Sequence, residues 1–351
     1  IIAANVGPDE HQATENAERL AEDLLQLLSE PVNLNGNQYR CSASIGVTLF
    51  NNAEQSNEEL LRRADTAMYE AKAAGQGMIR FHDPHTQSFL EQRFRLESDL
   101  RQAMEQGELY LVYQKQIGHT GHCVGVEALL RWQHPARGLV PPDVFIAIAE
   151  KNGLIIPLGQ WVLEAACRQL ALWQARPATQ ALTMSINVSS KQFHQAGFVE
   201  QVMDTLRRLG VNPKGLCLEL TESLVLADLD DALLKMQAFR AQGIQLSMDD
   251  FGTGYSSMAY LSRLPFDEVK IDKSFVQQAE KNLSGNEWII IETIISMAHR
   301  LGMRVVAEGV ETVNQQYVLE QLGCDCFQGY LLGRPVSLQA LDLSDVLVSS
   351  K

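Results

Sequence analysis

The sequence is short of the features that would mark a membrane or nucleic-acid protein. No uninterrupted apolar run reaches the ~18 residues of a bilayer-spanning helix, and no stretch has the make-up of a signal peptide. Positive charge is scarce: 29 Lys and Arg stand against 43 Asp and Glu, a net charge of −14. That excludes a protein that grips DNA or RNA polymers through a basic face. It leaves room for a phosphate ligand, because bound divalent cations supply positive charge locally. Cysteine is sparse as well. The six (Cys41, Cys123, Cys167, Cys217, Cys324, Cys326) are scattered, and the one close pair, Cys324 and Cys326, has no His or second Cys pair beside it. A structural zinc site is set aside. Buried, reduced thiols in a cytoplasmic protein are expected instead. The chain opens on Ile1 rather than Met, which leaves open a longer parent tethered to a membrane.

What is present is ordinary for a globular chain. Of 351 residues, 46% are hydrophobic and 21% charged, enough for a sizeable core in one large domain or two. Two textures divide the chain. Residues 1–83 hold a helical stretch, Glu15 to Leu28, with Leu20, Leu24, Leu25 and Leu28 at helical spacing. A hairpin turn is expected at Asn35-Gly36, leading into a strand over Arg40–Phe50. A second amphipathic helix, Asn57–Ala74, ends near Gly75 and Gly77. These are too few elements for a complete α/β domain. After a break at Phe81-His82-Asp83-Pro84, a polar helix from about Thr86 to Gln106, with Leu90, Phe94 and Leu100 on one side, makes residues 84–106 a helical linker.

From Leu109 onward short apolar strands alternate with longer amphipathic helices. Strands are expected near 109–117, 124–132, 182–189, 216–222, 244–250, 268–272, 304–308 and 324–331. Repeated βα units imply a largely parallel sheet, and eight of them in about 240 residues suit a closed (β/α)8 barrel. Most of these strands carry polar residues toward their ends: Glu127, Asn187, Glu219 and Glu222, Asp249 and Asp250, Lys270 and Asp272, Glu308 with Glu311 beyond it, and Gln328. Strand C-termini meet at one mouth of such a barrel, where the active sites of the fold lie. Converging carboxylates repel one another unless cations sit among them, and hard oxygen donors select Mg²⁺ or Mn²⁺.

Each residue has a plainer explanation. Asn187 could cap a helix starting near Ser189. Glu219 and Glu222 could face solvent, with Thr221 or Ser223 as N-cap. Asp249 or Asp250 could cap the turn at Phe251-Gly252-Thr253-Gly254, Lys270 could snorkel, and Glu308 and Glu311 could flank Gly309 as solvated charges. Jointly these explanations need strand after strand to end in such a group by coincidence.

The strings themselves resemble the bacterial EAL-domain phosphodiesterases. They are Tyr113-Gln114, Val126-Glu-Ala-Leu-Leu-Arg-Trp132, Ile186-Asn187-Val188-Ser189 and Glu219-Leu-Thr-Glu-Ser223. Asp249-Asp-Phe-Gly-Thr-Gly-Tyr-Ser-Ser257, Lys270-Ile-Asp272, Ala307-Glu-Gly-Val-Glu-Thr312 and Phe327-Gln-Gly-Tyr330 complete the set, in family order over about residues 94–345. The resemblance implies a TIM-like barrel with one antiparallel strand, hydrolysis of cyclic di-GMP to linear pGpG with Mg²⁺ or Mn²⁺, and a homodimer. It implies that Glu127, Asn187, Glu219 and Asp249 hold one metal, with Asp249 bridging to a second that Asp250 also binds. Lys270 would orient the attacking water and favour hydroxide, and Glu308 would order metal-bound waters. Arg131, four residues after Glu127, is assigned to a substrate phosphate, with a surface salt bridge as its plain alternative. Gln114 and Gln328 would add polar contacts. Glu222 would anchor the Asp250–Ser257 loop, and Glu311 is placed with it as a loop anchor. Lys115 stands where the family has Pro, a departure expected to act modestly on the first barrel strand.

The first region resembles the second half of a GGDEF, or diguanylate cyclase, domain through Ser44-Ile45-Gly46-Val47 and Ala64-Asp65-x-Ala67-Met68-Tyr69-x-Ala71-Lys72. The Gly-Gly-Asp-Glu-Phe signature is absent, and Gln76 stands where an Arg partner of Lys72 is expected. A packing or dimerisation appendage is therefore the expected role. Two competing functions remain. A cyclic di-GMP receptor without hydrolysis would have lost metal or base residues, and all stand here. A protein-binding module would leave the charged mouth unexplained.

Overall fold

The computed structural model describes residues 1–4, 6–29, 32–34, 37–39, 43–50, 56–74, 77–82, 84–252, 263–281 and 287–346. The turn expected at Asn35-Gly36, Cys41, Gln76 and residues 253–257 of the Asp250–Ser257 loop lie outside these. The chain divides into two compact units, Ile1–Ser98 and Asp99–Lys351.

The first unit holds α1 (Glu10–Ser29), β1 (Val32–Leu34), β2 (Asn37–Tyr39), β3 (Ile45–Val47), α2 (Asn57–Ala74), β4 (Ile79–Phe81) and the start of α3 (Pro84–Gln106). α2 starts where the sequence signals it. Ser56 Oγ accepts from the Glu59 amide at 3.3 Å, while Glu58 and Glu59 in the first turn and Lys72 in the last match the helix dipole. Its buried face is Ala67 and Ala71. β3 approaches the helix backbone closely at Gly46, where a Cβ would stand 2.1 Å from the Ala64 carbonyl oxygen. β3 and β4 pair in parallel, Ile45 beside Ile79, and the core is small: Ala17 and Phe81 with Val47, Leu49 and Ile79. Within the strand expected over Arg40–Phe50, the described residues are extended only at Ile45–Val47.

The second unit contains the barrel. Its strands are β5 (Leu109–Gly118), β6 (Cys123–His134), β7 (Gly138–Val140), β8 (Thr183–Asn187), β9 (Leu216–Thr221), β10 (Gln245–Phe251), β11 (Glu268–Ile271), β12 (Arg304–Ala307) and β13 (Cys326–Phe327). Eight close in the order β5-β13-β12-β11-β10-β9-β8-β6, with β6 returning to β5 and β7 hung on the edge of β6. β5 is antiparallel to both neighbours, and the remaining barrel pairs are parallel. The cause is local. A tight turn with Gly121 at φ 79° joins β5 to β6, and so short a link allows only a hairpin, because a parallel return needs a crossover of a dozen residues or more.

The crossovers are helical: α4 (Pro142–Asn152) and α5 (Ile155–Gln174), α6 (Ser190–Phe193) and α7 (Phe198–Leu209), α8 (Glu222–Ala227) and α9 (Leu229–Ala241), α10 (Lys273–Lys281) and α11 (Glu287–Arg300), and α12 (Val313–Gln321). Three of the starts, those of α6, α9 and α12, are capped by short polar side chains. Ser189 accepts from the Gln192 amide, Asp228 from Asp231, and Thr312 forms a capping box with Gln315. One core joins strands and helices, with Leu216, Leu218, Leu246, Val269 and Val305 packed with Leu170, Phe198, Phe239 and Ile291. Among the described residues no helix is long and apolar enough to cross a membrane.

Two strands differ from expectation. β6 runs to His134, because β5 pairs with it as far as Trp132 and β7 from Trp132 onward. Glu127, expected among the polar residues toward the strand ends, lies within the strand. The last strand, expected over 324–331, has two residues. The chain turns at Gly329, where a Cβ would lie 2.1 Å from the Val310 carbonyl oxygen.

The thiols behave as composition suggested. Cys123, Cys167, Cys217, Cys324 and Cys326 are all free and buried. Burial pushes the thiols of Cys123, Cys167 and Cys324 up to about 12. Titration of the native protein with a thiol reagent at pH 8 is expected to label at most one cysteine, Cys41, until the protein unfolds. Rapid labelling of a second would contradict the packing.

Candidate active site

The register of the barrel brings the polar strand residues to one level. In the ladder, Gln114 lies beside Glu127 and Asn187 beside Glu219. Asp249 lies two residues along β10 from Ser247, the register partner of Glu219. At their centre is Lys270, 1% exposed. Its Nζ lies 2.9 Å from Glu219 Oε2, 3.6 Å from Glu127 Oε2, 3.4 Å from Asp249 Oδ1 and 2.5 Å from Glu308 Oε1. Amides close the ring. Asn187 Nδ2 donates to Glu127 Oε1 at 2.7 Å and Gln328 Nε2 to Glu127 Oε2 at 2.6 Å. Gln328 also donates to Gln114 Oε1 at 3.2 Å, and Gln114 Nε2 to the Gly333 carbonyl at 3.0 Å. Because Ser189 caps the following helix, Asn187 is left to serve Glu127.

Four carboxylates around one ammonium leave negative charge in excess, and the proton affinities of Glu219 and Glu308 show it. Burial pushes Glu219 well above the usual carboxylate range, and repulsion from Glu127 adds to it. Burial pushes Glu308 up to about 7 against the pull of Lys270. Glu127 is buried too, but Lys270, Gln328 and Asn187 hold it below its ordinary value. Burial works against the charge on Lys270, yet Glu127, Glu219, Glu308 and Asp249 keep it firmly protonated.

The residues suit a hard cation. Every candidate donor is oxygen, the charge in excess is negative, and Glu219 Oε1 is buried with no hydrogen-bond partner. As arranged around Lys270, no group of three or more His, Cys, Asp or Glu among the described residues forms a ready cage. Holding a cation therefore asks these side chains to turn from the ammonium toward a shared ion.

The other expected residues lie at the rim. Asp250 is exposed and is the non-glycine residue with positive φ, at 55°, among the described residues. Its amide donates to Asp249 Oδ1 at 3.0 Å, and burial and Asp249 raise its carboxyl. A strained backbone at such a place marks a position held by its surroundings. Arg131 is half-buried on the Glu127 face of β6, and its Nη1 donates to the Leu130 carbonyl. Glu222 opens α8, while residues 253–257, its expected partners, lie outside the described set. Glu311 accepts from Gln277 Nε2 at 3.2 Å, linking the turn after β12 to α10. The sequence reading passed over Gln116, whose Nε2 donates to Gln328 Oε1 at 3.1 Å. The signal was available: Gln114 and Gln116 alternate on one face of β5. Lys115, between them, faces the other way and pairs with Asp345 at 2.7 Å.

A closed barrel with one antiparallel strand and an acidic, lysine-centred mouth defines the class. The sequence model of the EAL domain matches residues 97–335, and the chain belongs to that family. The diguanylate cyclase GGDEF domain matches residues 5–78. The bifunctional diguanylate cyclase/cyclic di-GMP phosphodiesterase MucR of Pseudomonas aeruginosa is 41% identical over 327 residues, covering 93% of this chain and 47% of that protein. The cyclic di-GMP phosphodiesterase NbdA of the same organism is 38% identical over 324 residues, 92% of this chain and 41% of that protein. The chain thus spans less than half of either relative. The solved PaMucR phosphodiesterase in complex with c-di-GMP superposes with a TM-score of 0.67 at 43% identity, covering 70% of this chain and 98% of that one.

Proposed function

We propose that the barrel unit hydrolyses cyclic di-GMP to linear pGpG at this mouth, as one module of a second-messenger signalling protein in the cytoplasm. The observation that carries the reading is the convergence of Glu127, Glu219, Asp249 and Glu308 on one buried lysine, with Glu219 Oε1 left unpartnered. Glu127, Asn187, Glu219 and Asp249 are the residues to hold one Mg²⁺ or Mn²⁺, and Asp249 with Asp250 a second. Bound there, two cations would neutralise the scissile phosphate and lower the cost of generating a nucleophile from water.

The chain's own residues do the rest. Water adds to phosphorus, the bond to one ribose 3′-oxygen breaks, that oxygen takes a proton, and the new 5′-phosphate keeps the oxygen from water. Lys270, which keeps Glu308 when the metal-holding carboxylates turn to the cations, would donate to the attacking water and favour its deprotonated form. Glu308, against Lys270, keeps the ammonium aimed. Arg131 offers a planar fork to a phosphate outside the carboxylate ring, and Gln114 and Gln328 order the ring from β5 and β13. Asp250, Glu222 and Glu311 set the loop at the rim. The PDE complex and the named relatives support this substrate over other phosphodiesters. The test is product formation by the purified chain from cyclic di-GMP, with Mg²⁺ or Mn²⁺ and with chelator. No product under any condition, with cyclic di-GMP still bound, would replace the enzyme with a receptor. A homodimer is inferred from the family, and Ile289 and Ile290 on α11, 61% and 41% exposed, are apolar surface for it to cover; sedimentation across concentrations decides it.

A further inference from the structure

A cleft of about 730 Å³ opens in the helical layer of the barrel unit, among the helices that follow β8 and β9. Its walls are the link from α6 into the first turn of α7, the end of α8 and one stripe of α9. No residue of the carboxylate ring or its rim lines it. α9 already has a face in the core, Ala232, Met236 and Phe239, and a helix that docks through one stripe turns polar residues to water. Here Leu234 is 69% exposed, and Ala238, four residues on and so on the same face, is half-buried. Both line the cleft, and Phe198 and Val199 of α7 and Ala227 of α8 carry the apolar lining across it. Leu226, next to Ala227 in the chain, is 42% exposed. Single exposed leucines are ordinary, but apolar side chains gathered around a cleft mark a binding surface.

The charge this cleft offers is negative, because its cations are already engaged. Lys235 Nζ donates to Asp231 Oδ2 at 2.8 Å and to the Phe193 and Gln195 carbonyls at 2.8 and 3.4 Å, which occupies all three of its donors. His194 faces Asp231 Oδ2 at 3.2 Å and the Leu224 carbonyl at 3.1 Å. Asp231 is thereby matched within the protein. Glu200 and Asp228, which also line the cleft, are not: among the described residues neither meets a cation. Each suits the helix start on which it stands, Glu200 in the first turn of α7 and Asp228 as the cap of α9. That accounts for the two carboxylates but not for the apolar lining they share.

We propose that this cleft docks a basic amphipathic segment of a partner protein, which sets an apolar side chain against Phe198 and Leu234 and brings lysine or arginine to Glu200 and Asp228. The inference goes beyond the reaction at the barrel mouth and does not rest on it. Extent argues for a polypeptide over a small ligand. The lining runs along α9 from its cap Asp228 to Ala238, about 15 Å of helix, which matches about three turns of a docked helix. The exposed area of Leu234 and Leu226 is left for such a chain to cover. Charge argues for a basic one, since Glu200 and Asp228 have no internal cation and an acidic segment would meet like charge.

The probe is a random peptide library displayed on phage, selected in parallel against the full chain and against Leu234→Ser. Peptides that need Leu234 are then synthesised and titrated by fluorescence anisotropy at physiological ionic strength. Leu234 and Glu200 are both exposed, so their variants should melt with the parent. The selected peptides are expected to carry apolar residues at helical spacing with Lys or Arg between them. Their Kd should rise about tenfold in Leu234→Ser. It should rise by a smaller factor in Glu200→Lys, mainly through slower association, and stay unchanged in Glu320→Lys, a charge reversal on α12. A library that yields no peptide dependent on Leu234 would overturn the proposal. So would Leu234-dependent peptides whose polar residues are acidic or uncharged, or no loss in Glu200→Lys. A loss in Glu320→Lys equal to that in Glu200→Lys would trace the attraction to the net charge of −14 and end the proposal as well.

Discussion

Replacing Glu127 by Ala is expected to lower cyclic di-GMP hydrolysis by about 10²–10³-fold, the size seen when one preorganised charged or hydrogen-bonding group is removed from a site. Glu127 has the densest connections of the ring: Asn187, Gln328 and Lys270 all meet its two oxygens. Its carboxyl is held below its ordinary value, because those three partners outweigh burial. Its loss removes one cation donor and frees the two amides that fix the others. Stability should change much less. One buried donor, on Gln328, loses an acceptor at about 1–3 kcal/mol, but it keeps Gln114; Asn187 is exposed to solvent, and one repelling carboxylate leaves a ring with excess negative charge. The check is product formation beside a thermal melt. A variant that melts near the parent yet turns over substrate at more than a tenth of the parental rate would remove Glu127 from the chemistry.

The second large effect concerns Lys270→Met. Taking the lone ammonium from a buried ring of carboxylates is expected to destabilise the metal-free protein by about 3–5 kcal/mol near neutral pH, the cost of leaving buried charge uncompensated. The effect should depend on pH with a definite sign. Even with Lys270 present, burial pushes Glu308 up to about 7 and Glu219 well above its ordinary range; without it, both rise further. An acid whose folded pKa exceeds its unfolded value makes the folded state bind the extra proton. Its contribution is present below the unfolded value of about 4.5 and is lost as pH rises through the folded one. The melting-temperature gap between parent and variant should therefore widen from pH 5 to pH 8. Mg²⁺ or Mn²⁺ should narrow it at pH 8 if a cation takes over the neutralising role. A gap independent of both pH and divalent cation would mean that the carboxylates are not charged in the way their burial and spacing imply.

The reading of the barrel from sequence rested on period and order. Short apolar runs at βα spacing placed the barrel strands near 109–117, 182–189, 216–222 and 268–272, close to β5, β8, β9 and β11. Helix α2 was legible to its ends, Asn57–Ala74, because a serine cap, acidic first turn and lysine last turn all agree with its apolar stripe. β6 runs past its expected end at 132, since its extension depends on two flanking strands that local pattern does not announce. β7 passed unnoticed for the same reason: three residues carry no period. The brevity of β13 is decided by the Val310 backbone lying against Gly329, a contact between residues far enough apart that neither predicts it.

By itself the sequence determined which residue types stand at the strand positions, the order of the βα units and the excess of acid over base. These are local or compositional quantities, and alternation and spacing carry them directly. Only the tertiary structure decided how they meet. Closure of the sheet through the antiparallel β5 sets the register that puts Gln114 beside Glu127. It also brings Lys270 from β11 among carboxylates of β6, β9 and β10. A charge alone in a sequence has no fixed proton affinity. Burial and the distance to other charges set it, and both arise only when the strands close the barrel.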